Sequence, residues 1–500
     1  MVDARRSAVL VGAGQLTQRE AEAKRAMSPP ELMAEAARRA ALDSGAGPTL
    51  LERIDYLGVV DTLGWRASNP ARLVAEAVGA RPAREVVSTI GGDTPQAFVN
   101  HVAGEIAAGR VGLALLAGCN AMHSALRASK RGIRLDWPSG GKGKPLSFGD
   151  ARPGSNDYEN RHGLMLPVAI YPLFENAFRA FRGWDLETHR RKLGELFSGF
   201  SKVAAANPYA WFPVARTPEE ICTPSPENRM VAFPYTKYMS AVIDVDQSAA
   251  LLMASEADAS RLGISRDRWV YLVGAGAACE EPWWVSERPA FSSCPALREA
   301  GEQALRGAGL GIDEIELVDL YSCFPIAVEI ACRMLGIPMD GSRPLTVTGG
   351  LPFFGGPGNN YSTHAIASMM ERLRERPGAN GLVLSTGWYL SKHAAGVYST
   401  RAPDPDRELE PAHRSGEPEP AALLALEAEG RATIETYTVL FGRGGAPSRG
   451  IVVGRLEDGR RFLSNTPGEP GLAESLAAAE AIGLEGVVSH SGGINVFDPS

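Results

Sequence analysis

The chain has 500 residues, of which 44% are hydrophobic and 22% charged, with a formal net charge of −7. That length holds two or three domains with sizeable cores, and the acidic balance argues against nucleic acid or an acidic membrane as general partner, leaving small-molecule chemistry. No apolar run is long enough to span a bilayer and MVDARRSAVLVGAGQ enters a strand without a signal-like apolar region, so a cytoplasmic protein without stable membrane insertion is expected.

Six cysteines, Cys119, Cys222, Cys279, Cys294, Cys323 and Cys332, are scattered with no CxxC pair. This usage suits reduced, buried thiols rather than disulfides or zinc, and no metal is expected.

Residues 8–12, AVLVG, form a continuous apolar run that reads as a strand covered on both faces. The GAG that follows invites a dinucleotide-binding reading, but GAGQLT lacks a third glycine and the next helix begins only near Ser28. Leu32, Ala36, Ala40 and Leu42 give residues 31–44 helical spacing, and a strand is expected over 55–61. Residues 86–118 hold strand, glycine turn, helix and strand in succession. Gly91-Gly92 supply the turn, Thr94 is the expected N-cap, Pro95 suits the first helical position, and the helix runs to about 108. Its small residues Ala97, Ala103, Gly104, Ala107 and Ala108 suggest a central helix in close packing. The N-terminus of that helix would stabilise a carbonyl oxygen, thiolate or anion beside Gly92 and Asp93; an ordinary buried helix with a tight entry turn is the alternative.

Between residues 121 and 239 the alternation breaks into a Trp/Pro/Tyr-rich insertion with a helix expected at 167–182. Arg127, Lys130, Arg131, Arg134, Lys142 and Lys144 make its first part basic, which suits phosphate groups or simply a solvated loop. A helix rich in Ala and Leu is expected at 248–262 and a strand at 269–274. The second half then repeats the first. Helix 296–306 leads to strand 315–320, and TGGLPFFGGPGNNYSTHAIASMMERLRE leads to LVLSTG at 382–387, matching LALLAG at 113–118 at similar offsets. Residues 401–430, rich in Pro, Glu and Asp, read as a linker with a helical segment at 421–428. Alternating stretches at 432–440, 450–456 and 460–463 predict a small β-barrel.

With GGDTPQ, FGGPGNNY, STGWYLSKH and the C-terminal β-domain in view, the chain resembles the thiolase superfamily over residues 7–400, especially thiolase-like proteins type 1 and the sterol-carrier-type branch. The resemblance implies an α/β chain with a duplicated five-layered αβαβα fold, an inserted loop domain and an additional OB-like barrel. The expected division is an N-terminal half at 1–270 carrying the insertion at 121–239, a C-terminal half at 271–400, a linker at 401–430 and the β-domain at 431–500. It also implies acyl-CoA C-acetyltransferase chemistry, a CoA thioester as substrate or ligand with no other cofactor, and an acyl-CoA or lipid as small-molecule partner. Monomer and homodimer stay open, since thiolases pair through the strand before the nucleophile and an extra domain could cover that edge.

Thiolase chemistry needs a cysteine at the start of the buried helix, a histidine base and a second cysteine. By this resemblance the nucleophile falls on Gly92, within one residue. In Gly349-Gly350-Leu351-Pro352-Phe353-Phe354-Gly355-Gly356-Pro357, Gly356 replaces the histidine of the family's GHP turn, and the second cysteine falls at Thr386 or Gly387. Tyr321, in Tyr321-Ser322-Cys323-Phe324, replaces the Asn or His that holds a catalytic water. Substitutes in the same cleft are Asp93 or Thr94, Ser322, Cys323, His364 and His393, each with a plain structural alternative. His393 is the preferred one, in the segment matching the family's active-site loop. Two functions compete: an acyltransferase with altered residues, and a non-catalytic acyl-CoA or lipid-binding protein. An OB-like role for the β-domain in bridging CoA through a zinc ribbon lacks its cysteines, since none follows Cys332.

Overall fold

The computed structural model describes residues 7–404, 420–467 and 470–499. Its main sheet is built from strands β1 (Ala8–Thr17), β2 (Tyr56–Val59), β3 (Arg84–Ser88), β4 (Leu113–Ala121) and β5 (Leu146–Phe148), then, after the short β6 (Met230–Ala232) and β7 (Tyr235–Thr236), from β8 (Asp246–Ser255), β9 (Val270–Cys279), β10 (Leu317–Leu320), β11 (Asn380–Gly387) and β12 (Lys392–Ser399). The order across this sheet is β10-β11-β12-β9-β1-β8-β4-β2-β3-β5.

The duplication is visible in the pairing. In the first half β2 runs parallel to β4, β4 antiparallel to β8, and β8 antiparallel to β1. In the second half β10, β11, β12 and β9 repeat that series. Helices Thr94–Ala107 and Tyr361–Glu375 touch each other and strands of both halves, so they form the central layer. Helices Pro29–Asp43 and Pro295–Ala308 cover the corresponding outer faces. The GAG run in β1 now has a packing reason. A Cβ at Gly12 would lie 2.1 Å from the Ala40 carbonyl oxygen, and one at Gly274, in the matching GAG of β9, 1.9 Å from that of Ala304. Both glycines let an outer helix settle directly on strand backbone.

Residues 248–262 are not one helix. Ser248 to Ser255 belong to β8, all ten residues of which are buried, and only Glu256–Arg261 are helical. A strand buried on both faces shows no alternation, so SAALLMAS imitates a buried helix until its neighbours β1 and β4 are known. Thr94 is the first helical residue, not the cap; Asp93 is the N-cap, and the Thr94 hydroxyl donates to the Gly91 carbonyl at 2.8 Å. Within the expected linker, 405–419 lie outside the described residues. The part from 421 to 428 is not helical: it is extended and docked, with Ala422 N–H donating to Glu287 O and Ala425 N–H to Arg461 O, both at 2.8 Å.

Strands β13 (Gly430–Phe441), β14 (Pro447–Leu456), β15 (Arg461–Asn465), β16 (Glu485–Ser491) and β17 (Ile494–Pro499) close a five-stranded barrel in the order β13-β14-β15-β17-β16-β13, with helix Pro470–Ala478 between β15 and β16. The barrel sits on both the insertion and the 285–289 segment of the C-terminal half through buried polar contacts. Asn176 Nδ2 donates to Tyr437 O at 2.9 Å, Thr436 Oγ1 to Leu173 O at 2.6 Å, and the fully buried Arg461 guanidinium to the carbonyls of Ser286 and Arg288 and to Glu435. The outer edge of β3 is covered by β5, with Val86, Val87 and Ser88 opposite Leu146, Ser147 and Phe148. The cover comes from the insertion, where the sequence had suggested the additional domain.

Candidate functional site

The turn between β3 and helix Thr94–Ala107 is pinned by the second half of the chain. Gly91 N–H donates to Asn359 Oδ1 at 3.1 Å, Asn359 Nδ2 donates to Asp61 O at 2.8 Å, and Ser362 Oγ donates to Gly92 O at 3.0 Å. FGGPGNNY and the serine after it therefore act as a clamp on GGDTP, with the Asn359 amide bridging Gly91 and Asp61.

Gly92, Tyr321 and Thr386 meet at this turn. A Cβ at Gly92 would lie 2.3 Å from the Tyr321 hydroxyl oxygen and 2.6 Å from the Thr386 carbonyl oxygen, so a side chain there has no room. Tyr321 is held by its N–H donating to Leu384 O at 3.0 Å and by an edge contact with Tyr361 at 5.6 Å between ring centres. Burial raises its phenol pKa well above the usual tyrosine value. Ser322 is fully buried and its Oγ accepts from Leu351 N–H at 3.3 Å. Gly356 N–H donates to Val242 O at 2.8 Å, and a Cβ at Gly356 would stand 3.2 Å from that oxygen, so the segment between the insertion and β8 covers this turn.

Gly387 packs against a buried ion pair that sequence reasoning did not assemble. A Cβ at Gly387 would lie 2.0 Å from Asp93 Oδ1, and Asp93 Oδ1 is 3.6 Å from Lys392 Nζ. Lys392 Nζ also donates to Ile90 O at 2.8 Å and Asp150 O at 3.2 Å. Burial pushes the Asp93 carboxyl up to about 6, with Lys392 pulling it partly back. Cys279, the cross-strand partner of Lys392, is the cysteine of this neighbourhood, and burial pushes its thiol up to about 11. Just beyond, Trp388 and Leu390 take φ of 51° and 56°, a left-handed backbone that non-glycine residues hold only where packing enforces it.

His393 stands on β12, not in a loop. Its Nδ1 is 3.1 Å from Thr386 Oγ1 and its Nε2 3.2 Å from Cys294 Sγ, while Cys294 Sγ lies 3.0 Å from Glu280 Oε1. All four residues are buried. Burial lowers His393 to about 3 and raises the Cys294 thiol well above its ordinary value. His364 lies apart from the Gly92 turn contacts, with Nδ1 2.9 Å from Gln15 Oε1, its ring against Phe354, and a pKa lowered by burial to about 3. Cys119 and Cys323 are buried with thiols raised by desolvation to about 12. No sequence spacing announced Cys294 or Glu280, and the signal for Lys392 was the run SKHAAG, where a lysine sits beside a histidine in an apolar strand.

A cleft of about 290 Å³ opens beside the turn, lined by Asp61, Thr89, Ile90, Arg152 and Trp388 among others. Two polar atoms buried behind these walls, Thr89 Oγ1 and Trp388 Nε1, have no hydrogen-bond partner among the described residues. Arg66 pairs with Asp61 and Arg152 with Asp150 and Glu281, so this cleft is charge-balanced rather than a cationic phosphate trap. Of the basic run in the insertion, Arg127 is tied to the Glu20 carbonyl at 2.9 Å, while Lys130, Arg131 and Arg134 are exposed.

Comparison with known proteins gives a consistent picture. Residues 414–493 match the family model for the thiolase-like protein type 1 additional C-terminal domain. The chain is similar to a monomeric SCP2-thiolase like protein type 1 from Mycobacterium smegmatis, with 37% identity, 100% of each chain covered and a TM-score of 0.84. An acetyl-CoA acetyltransferase from Syntrophomonas wolfei shares the fold at 17% identity and a TM-score of 0.57, over 79% of this chain and 99% of that one. Benzoylsuccinyl-CoA thiolase subunit BbsB of Thauera aromatica is 27% identical over 138 residues, 28% of this chain; the match spans 34% of that protein's length.

Proposed function

As the chain belongs to the SCP2-thiolase-like proteins type 1, within the thiolase superfamily, we propose that it binds an acyl-CoA thioester between its halves without carrying out thiolysis. The observation that carries this reading is the packing at Gly92: the Tyr321 hydroxyl and Thr386 carbonyl fill the space a nucleophilic side chain would need. A covalent acyl intermediate requires an attacking group beside a base near neutrality. The neighbouring histidines and cysteines do not meet that need. His393 and His364 are held neutral, each with a pKa of about 3, and Cys279 and Cys323 are held as thiols. What the turn retains is a helix N-terminus and a tightly positioned backbone, which polarise a carbonyl without attacking it. The adjoining cleft, lined by Thr89 and Trp388 among others, has the size of a thioester end rather than of a long chain. The barrel is taken as OB-like from its strand order, and its docking on the insertion makes it a brace for that lobe rather than a separate ligand module.

Two measurements test this. Acetoacetyl-CoA and CoA are incubated with the protein and the loss of acetoacetyl-CoA absorbance is followed; no turnover is expected, and a rate comparable with ordinary thiolases refutes the plugged-site reading. Calorimetric titration with acetyl-CoA and a longer acyl-CoA is expected to show binding at one site per chain. Absence of binding for every CoA ester refutes the ligand reading and leaves the first result standing.

A further inference from the structure

A second constellation lies away from the Gly92 turn, where three helices meet under the barrel. Helix Pro167–Phe181 supplies Glu175, helix Leu186–Ala205 supplies His189, and helix Pro325–Leu335 supplies Glu329. Their exposures are 0%, 1% and 3%, and one donor atom from each lies within 4.8 Å of the others. His189 Nε2 is 2.7 Å from Glu175 Oε1, and the Tyr235 hydroxyl donates to Glu175 Oε2 at 2.7 Å. Glu329 Oε2 is buried and has no donor among the described residues, while the Glu329 carboxyl stands beside that of Glu175. The charged groups facing the cluster are Arg179 and Arg182. Arg179 is already committed to Glu480 through both guanidinium nitrogens. Two carboxyl groups therefore share a desolvated volume with an imidazole, and among the described residues no cation is hydrogen-bonded to either of them apart from that imidazole, an arrangement that burial penalises unless a proton or a bound cation arrives.

We propose that Glu175, His189 and Glu329 form a binding site for one divalent transition-metal ion, with the Tyr235 hydroxyl beside it. One imidazole nitrogen and two carboxylate oxygens suit zinc, manganese or ferrous iron better than magnesium or copper(I). Donors around a four-coordinate ion stand roughly 3.3 Å apart, so side-chain rotations of these three groups suffice to reach it. The ion's two charges cancel those of the carboxylates, and the unused oxygen of Glu329 gains a partner. An entry path exists: His189 forms part of the wall of a cleft of about 700 Å³ between insertion and barrel, lined also by Leu186, Arg190, Phe233, Phe441 and Ala477. Metal binding here would tie together two helices of the insertion and one of the C-terminal half, since no two of the three donors share an element. The competing way to balance the cluster is a proton held between the two carboxylates, and it makes different predictions.

The test uses the full-length protein. After dialysis against EDTA and then metal-free buffer, it is titrated with zinc chloride and, separately, manganese chloride, reading bound metal by mass spectrometry and thermal midpoint by calorimetry. One equivalent per chain and a rise in midpoint are expected for at least one of the two ions. Glu329→Gln keeps the shape and supplies the hydrogen of a protonated carboxyl, so it folds while losing a ligand; its affinity should fall by at least about 100-fold, and that of His189→Gln similarly. Near-UV circular dichroism of both variants against the parent shows that the loss is not unfolding. No bound metal in the parent, or equal uptake by a folded Glu329→Gln variant, overturns the proposal and leaves the shared proton.

Discussion

Gly92→Ala is the sharpest perturbation the structure offers. The new methyl carbon would sit 2.3 Å from the Tyr321 oxygen, 2.6 Å from Tyr321 Cζ and 2.6 Å from the Thr386 carbonyl oxygen. These are well inside contact distance, and the backbone oxygen cannot rotate away. Overpacking of this kind costs about 1–3 kcal/mol. Gly104, on the helix that follows this turn, is the internal control, because a Cβ there meets nothing within 4 Å. Gly104→Ala should stabilise by about 0.5–1 kcal/mol through helix propensity, so the two substitutions should move the unfolding midpoint in opposite directions. Tyr321→Phe removes only the nearest atom and should recover part of the Gly92→Ala loss, leaving the Thr386 contact. Urea unfolding of the four proteins, with the double variant closing the cycle, measures this coupling directly. Gly92→Cys should be at least as destabilised and still inactive toward acetoacetyl-CoA, because Gly356 supplies no base. Equal stability of Gly92→Ala and Gly104→Ala would refute the packing argument and reopen the position to a catalytic group.

Asp93 makes a pH prediction. Its folded pKa of about 6 lies above the usual 3.8, so the native state takes up a proton that the unfolded chain leaves off between those values. The stabilising contribution of that proton is complete below about pH 4 and lost as pH rises through about 6, an effect of roughly 3 kcal/mol. Asp93→Asn should remove this slope, seen as a flatter stability profile between pH 4 and 7 than the parent's; unchanged slopes would count against it. Native-state iodoacetamide labelling read by mass spectrometry should spare Cys119 and Cys323, whose thiols are buried and raised to about 12, while the partly exposed Cys222 reacts first. Glu480→Ala strips its carboxylate partner from Arg179, which is 1% exposed; because Glu480 itself is 47% exposed, the loss should be about 1–3 kcal/mol, detected as faster limited proteolysis of the barrel.

Short-range chemistry was readable in the chain. Gly91-Gly92 before Thr94-Pro95 and the repeated strand–turn–helix order depend on backbone preferences spanning a few residues, and each forms where the sequence places it to within a residue or two. Even there the exceptions are physical: SAALLMAS is a strand because β1 and β4 flank it, a fact absent from its own spacing. The duplicated halves were legible because duplication leaves the same local pattern twice, although the matching GAG runs reveal their purpose only when helix backbones are seen at about 2 Å from a would-be Cβ. The resemblance located Gly92, Gly356, Thr386 and Gly387, but not what fills the space around them. Tyr321 reaches Gly92 across more than two hundred residues of chain, Lys392 finds Asp93, His393 finds Cys294, and Glu175, His189 and Glu329 converge from three helices. Local sequence carries the dihedral and periodic preferences that build elements, whereas a polar group's pKa, partner and reach are decided by which desolvated volume it shares, and only the packing of distant elements creates that volume.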